Sequence, residues 1–422
     1  MREMKDSGVA WIGAIPQDWK IVRTKSLYCS AKEIAGDRAD DFERLALTLN
    51  GVIKRSKEDS VGLQPEKFSG YQVLKKGELV FKLIDLENVS TSRVGLSPYT
   101  GIVSPAYIVL SKQSGAKDLV VRYSMYHFLS MWQREIFNQM GDNGVRSSLS
   151  VKELLNIPHP FPSTNEQKRI VTFLDAQFAE IDAVLEKTRA SIEEYKKLKQ
   201  AVITQAVTKG IRGDRPMKDS GIEWIGEIPA EWNVIRVKQL LKERNERSQE
   251  GKEEPLSMSQ KVGLVPTKFL ESIPNMASSF VGAKLAYVDD LVFNKLKAHL
   301  GVFSVSRYDG LVSPDYAVYC STGKSNLKYL EYIFKTPQCI GEFRKKSTGI
   351  AAGLTRLYTE GLFSIYLPYP ALSEQEEIAE YLNEKCTDID ALIAKKQQYL
   401  TEIENYKKSL IYEYVTGKKE VV

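Results

Sequence analysis

Cysteine is scarce. The four present, Cys29, Cys320, Cys339 and Cys386, include no CxxC pair, which argues against a zinc ribbon or a disulfide framework. Histidine is scarcer still. His127, His159 and His299 lie far apart in the chain, so core, loop or surface roles are expected for them rather than a metal or general-base role. No run of about 18 apolar residues occurs and the opening MREMKDSG is polar, so neither membrane insertion nor secretion is indicated and the cytoplasm is the expected location. Catalytic signatures are missing too: there is no HExxH, GxSxG or GxGxxG, and no [DNS]PP[YF] tetrapeptide. Gly323-Lys324-Ser325 resembles the end of a phosphate-binding loop, but Val318 stands where its first glycine is required. Asp289-Asp290 has no third carboxylate at nuclease spacing and reads as a turn leading into a strand.

Two long helices stand out. From Asn165 to Lys209 there is neither glycine nor proline, and a run of about 45 residues far exceeds the ordinary helix of about 11. Val171, Leu174, Phe178, Ile181, Leu185, Ile192, Tyr195 and Val202 form an alternating three-and-four seam that lapses at Thr188. That is coiled-coil spacing, and it demands a partner helix. Thr164 with Gln167 reads as a capping box, Pro158, Pro160 and Pro162 precede it, and Gly210 stops the helix. Shifted by 208 residues, the pattern returns between Ser373 and Thr416. Leu382, Ile389, Ile393, Leu400, Ile403 and Leu410 make its seam, Ser373 with Glu376 its box and Gly417 its stop.

The regions before the helices are also copies. Met4–Leu27 and Met217–Leu240 share 14 of 24 positions, including Trp11, Gly13, Pro16 and Trp19 against Trp224, Gly226, Pro229 and Trp232. Glu78–Phe81 answers to Asp290–Phe293, and Gly101–Pro105 with Tyr107 to Gly310–Pro314 with Tyr316, all strand-like. Helical spacing follows at Tyr123–Met140 and Leu327–Lys345, then Gly-rich loops at Gly141–Ser148 and Ser347–Gly353. By contrast, Tyr28–Lys76 and Leu241–Lys284 share little. A repeated frame with divergent inserts suits a receptor for a two-part target.

Charge divides along the same lines. Residues 1–162 carry 22 basic and 18 acidic side chains, as do residues 211–373, whereas the helical segments carry 8 against 7 and 7 against 11. A polyanion would therefore meet the globular halves. Side chains able to read bases, hold phosphates or stack are Lys82, Arg93, Tyr99 and Arg146 in the first half, with Lys295, Lys297, His299, Lys345, Lys346 and Arg356 in the second.

The twice-occurring Trp-Ile-Gly entry with its following proline (Trp11 to Pro16, Trp224 to Pro229), and the twice-occurring Pro-rich turn, Glu-Gln pair and long helix, resemble the specificity subunit of type I restriction-modification systems across essentially all 422 residues. The resemblance implies an α+β chain. Target-recognition domains at 1–162 and 211–371 would alternate with helices at 163–210 and 372–422, the helices pairing as an antiparallel coiled coil in an internal pseudo-twofold repeat. It also implies a non-catalytic subunit that binds double-stranded DNA and holds two methylation subunits and the restriction subunits. No cofactor would be bound by this chain, S-adenosylmethionine and ATP with magnesium being used by the partners. The family pattern transfers no base-reading residue. Each domain would take one half of an asymmetric bipartite target, with the helices as a ruler: adding four residues to the second half of the central helix, ~6 Å, should widen the gap by about two base pairs. A duplicated coiled-coil adaptor that never touches DNA is the alternative.

Overall fold

The computed structural model describes residues 2–59, 67–86, 93–140, 148–260, 262–270, 279–351 and 354–421. Two compact units emerge: Met1–Arg189 with Gln398–Val422, and Ala190–Gln397. Each takes one half of each long helix.

The long helices run over Thr164–Lys209 and Leu372–Val415. In the first unit Asp182 pairs with Lys407 and Arg189 with Glu404, while the Phe173 and Tyr414 rings stand 4.5 Å apart, so numbers rise on one helix as they fall on the other. The same antiparallel sense holds in the second unit, where Lys199 pairs with Asp390 and Lys396 lies over Tyr195. The seam is where the spacing puts it. Leu174, Phe178, Leu185, Ile192, Leu382 and Ile389 are buried, and Ile181, Ile393, Leu400 and Ile403 are half-buried. Thr188, at the lapse, stays on the seam, its hydroxyl donating to the Val184 carbonyl at 2.8 Å. A polar side chain can occupy a buried stripe when its donor is satisfied within its own helix.

The first unit is built on a four-stranded antiparallel sheet ordered Tyr28–Cys29, Ile108–Lys112, Leu79–Phe81, Val94–Leu96. The second repeats it as Leu241–Arg244, Tyr316–Ser321, Leu291–Asn294, Phe303–Val305. Beside each sheet lie the same two-stranded pairs: Gln72–Leu74 with Gly101–Val103 against Lys284–Ala286 with Gly310–Val312, and Leu45–Thr48 with Gly51–Lys54 against Leu256–Ser259 with Gly263–Pro266. Side chains were excluded at Gly101 and Gly310 for one reason. A Cβ there would come within 2.4 Å of the Glu43 carbonyl oxygen and 2.2 Å of that of Glu254.

The proline-rich approach to each helix is a strand. Pro158–Phe161 pairs with Lys20–Arg23, and Tyr366–Tyr369 with Asn233–Arg236, in two-stranded ladders where a missing N–H is tolerated. The single helices expected at Tyr123–Met140 and Leu327–Lys345 are each broken in two. Val121–Gln133 and Ile136–Met140 are separated at Glu135, which adopts positive φ, and Leu327–Phe334 and Pro337–Lys346 are separated by Thr336, which caps the second piece. Much of the second Gly-rich loop is a strand pair, Thr348–Ala351 with Leu354–Arg356. The first, Gly141–Ser148, falls almost entirely outside the described residues.

The first capping box gives way to longer-range contacts. Glu166 N–H bonds Ser163 Oγ, so the cap lies one residue earlier than Thr164, whose hydroxyl donates instead to the Asp118 carbonyl. Gln167 is buried, donating to Pro162 and accepting from Val120 N–H; Gln375 does the same with Pro370 and Asn326. Glu166 and Glu374 accept the indole N–H of Trp19 and Trp232, each at 2.9 Å, and each also meets an arginine, Arg2 or Arg215, which lies over the same Trp ring. The Glu-Gln pair thus ties each long helix to the entry segment and to the first short helix of its own unit. Gly210 and Gly417 end the helices at φ 76° and 70°.

Candidate nucleic-acid interface

The registers of the two sheets equate positions one by one. Ser30 corresponds to Glu243, Gln72 to Lys284, Leu83 to Lys295, Ala106 to Asp315, Ser148 to Arg356 and Val151 to Thr359. In the first unit these residues belong to a cavity of about 240 Å³ or lie beside it, and most of its walls are neutral. Buried Gln72 spans it, its amide donating to the Ser104 and Tyr107 carbonyls at 2.9 and 2.6 Å.

In the second unit the same place is charged. Buried Lys284 reaches Glu243 at 3.3 Å, and the other oxygen of that carboxylate accepts from the Thr359 hydroxyl at 2.7 Å, which is itself 3.1 Å from the Tyr319 hydroxyl. Arg356 donates to Asp315 at 3.1 Å and lies 5.9 Å above the Tyr358 ring, with its Nε buried and unmatched. Lys295 sits among them, held by its carbonyl, which accepts Leu357 N–H at 3.0 Å. Burial, then the positive charges of Lys284 and Arg356, push the Lys295 ammonium below its ordinary pKa. Five ionisable groups therefore share one half-buried patch.

The other candidates are scattered. In the first unit Arg93 is buried, its guanidinium donating to the Ile84, Asp85 and Leu86 carbonyls. There it fastens the loop after Leu79–Phe81. Lys82 is half-buried beside it, with its pKa lowered by burial and by the Arg93 charge. Tyr99 is exposed, with Lys54 5.5 Å over its ring. Arg146 lies outside the described residues. In the second unit Lys297 is exposed and His299 half-exposed, on the short turn after Lys295; Lys345 and Lys346 are exposed at the end of their helix, and Lys345 pairs with Glu342 at 2.7 Å. The structure brings Lys295 and Arg356 together and adds Glu243, Lys284, Asp315 and Thr359. Setting the halves side by side at their changing offset would have exposed them, as places where a neutral residue faces a charged or hydroxyl one.

Residues 16–194 match the family model described as the type I restriction modification DNA specificity domain. Two proteins of Methanocaldococcus jannaschii are similar along almost their whole length. They are the type I restriction enzyme MjaVIII specificity subunit, 23% identical over 96% of this chain and 94% of its own, and the putative type I restriction enzyme MjaX specificity subunit, 25% identical over 97% and 96%. A solved chain described under complex assembly and conformational transition of the type I R-M system has a TM-score of 0.72 at 14% identity, covering 96% of this chain and 99% of that one. The HsdS subunit from Thermoanaerobacter tengcongensis has 0.52 at 15%, covering 96% and 98%, so the α+β architecture with paired long helices is shared. In its domain model, in relatives along nearly the full length and in fold, the chain is similar to the specificity subunits of type I restriction-modification systems.

Proposed function

We propose that this chain selects an asymmetric, two-part sequence in double-stranded DNA, each unit reading one half, and presents it to other subunits. One observation carries this reading: the two units repeat one set of strand pairings yet fill equivalent positions with different chemistry, Gln72 and Leu83 against Lys284 and Lys295. A symmetric target would need no such difference. Two methylation subunits and the restriction subunits would do the chemistry, with S-adenosylmethionine and with ATP and magnesium, while this chain supplies recognition and no catalytic group. Its place would be the cytoplasm; no helix among the described residues is long and apolar enough to cross a membrane. The family name weighs against an adaptor that never touches DNA.

The test is to express the chain with a methylation subunit in cells lacking other adenine methylation and to map modified adenines across the genome. One bipartite sequence with two unlike halves is expected. Modification at no sequence, or at a palindrome, would overturn the reading.

A further inference from the structure

The charged patch of the second unit is unbalanced. Glu243 is taken up by Lys284 and Thr359, and Asp315 by Arg356, so two carboxylates face three cations. Lys295 is left over: among the described residues no hydrogen bond or ion pair is found for its ammonium group, although Lys284 and Arg356 raise the local potential around it. A half-buried cation without a counter-ion, flanked by a second cation whose Nε is also unmatched, is stabilised by an anion. Lysine suits a phosphate oxygen as a point charge, and an arginine beside it adds directed donors.

We propose that Lys295 and Arg356 grip a backbone phosphate of the half-site read by the second unit, with Lys284 as a positioning residue behind them. At the equivalent places the first unit has Leu83, Ser148 and Gln72. This rests on the DNA-reading function above. The phosphate is chosen over a base edge because the patch is a cluster of point charges. A base reader would present a free planar pair of donors, whereas Asp315 takes Nη2 of Arg356 and leaves it single donors, which suit a phosphate oxygen.

The experiment uses the chain assembled with its methylation subunits and the duplex identified by mapping. Lys295→Met is compared with wild type across a salt series, together with Lys295→Arg and with duplexes carrying one uncharged methylphosphonate at a time. Lys295→Met should weaken binding about tenfold at moderate salt and reduce the slope of log affinity against log salt by about one. One methylphosphonate, in the second unit's half-site, should weaken wild type and leave Lys295→Met unaffected. Lys295→Arg should retain most of the affinity, which separates charge from folding. An unchanged slope, no phosphate whose neutralisation is masked by the variant, or a loss that follows the identity of one base pair would overturn the phosphate grip. Failure of wild type to prefer its mapped sequence would instead overturn the function on which the grip rests.

Discussion

The two units agree where they hold the helices and part company around the positions of Leu83 and Lys295. Trp19 and Trp232 are both buried and both bonded to the glutamate two residues into a long helix. A few strands away, Leu83 and Lys295 occupy one position with opposite chemistry. Backbone pairing is dictated by alternation and by close approaches such as Gly101 and Gly310, so it tolerates almost any residue on the open face of a strand. The sequence between Tyr28 and Lys76 could therefore drift far from that between Leu241 and Lys284 while the strand order stayed the same. Divergence of sequence was not divergence of fold.

The largest break in this comparison comes from exchange. Replacing residues 28–146 by the equivalent stretch of a relative should rewrite one half of the methylated sequence completely and leave the other half intact. Mapping of modified adenines checks it. A change in both halves, or in neither, would mean that the units do not read independently.

The shared anchor should cost the same in either unit. Trp19→Ala and Trp232→Ala each remove a fully buried indole and should each destabilise their own unit by about 3 to 5 kcal/mol. The phenylalanine variants restore most of the bulk but leave Glu166 or Glu374 without its indole donor, an effect of about 1 to 3 kcal/mol. Because a chain of two units need not unfold in one step, hydrogen exchange resolved along the sequence is the suitable measurement. Losses that differed by more than about 2 kcal/mol between the units would show that the duplicated anchors are not equivalent.

Acid should separate the units in the opposite way. His159 and His127 are buried in the first unit, their rings 4.5 Å apart, where the second has Leu367 and Ile333. The Pro160 carbonyl can only accept, so His159 Nδ1 carries the proton, and Nε2 accepts from the Ser124 hydroxyl at 2.9 Å. Burial holds the His159 imidazole down to about 4, against 6.5 for a free side chain, and pushes that of His127 well below its usual value, helped by the nearby His159. Both folded values are depressed, so the unfolded chain takes up protons first. Stability is fully present above pH 6.5, falls as pH drops toward 4, and the loss from His159 alone approaches about 3 kcal/mol. Exchange protection should fall in the first unit and hold in the second, and His159→Leu should flatten the first unit's response. An equal acid response in both would sink this account.

Much of the frame was legible because it is periodic. The seam from Leu174 to Ile192 announced its burial through spacing alone, and Gly210 and Gly417 announced the helix ends. Contacts that cross the chain were not legible. Gln167 looked like half of a local capping box, yet it bonds Val120 and Pro162, because a buried amide takes whichever backbone groups tertiary packing brings to it. Arg93 looked like a surface cation for the same reason: nothing local reveals that the Ile84, Asp85 and Leu86 carbonyls turn inward around it. Among the candidates, Lys295 and Arg356 share one charged patch, and Glu243 and Lys284 beside them lie on strands of different sheets that packing brings together.

The smallest effect concerns the ion pairs between the long helices. Arg189 with Glu404 in the first unit is exposed, and Lys199 with Asp390 in the second is partly exposed. Exposed pairs gain little from Coulomb attraction and give up side-chain freedom, so a double-mutant cycle on either should yield about 0.5 kcal/mol, falling with added salt. The buried seam holds the helices together: Leu174→Ala or Leu382→Ala, each removing a fully buried side chain, should cost about 2 to 5 kcal/mol. A coupling above about 2 kcal/mol for either pair, unaffected by salt, would mean that charge rather than the apolar stripe fixes the pairing.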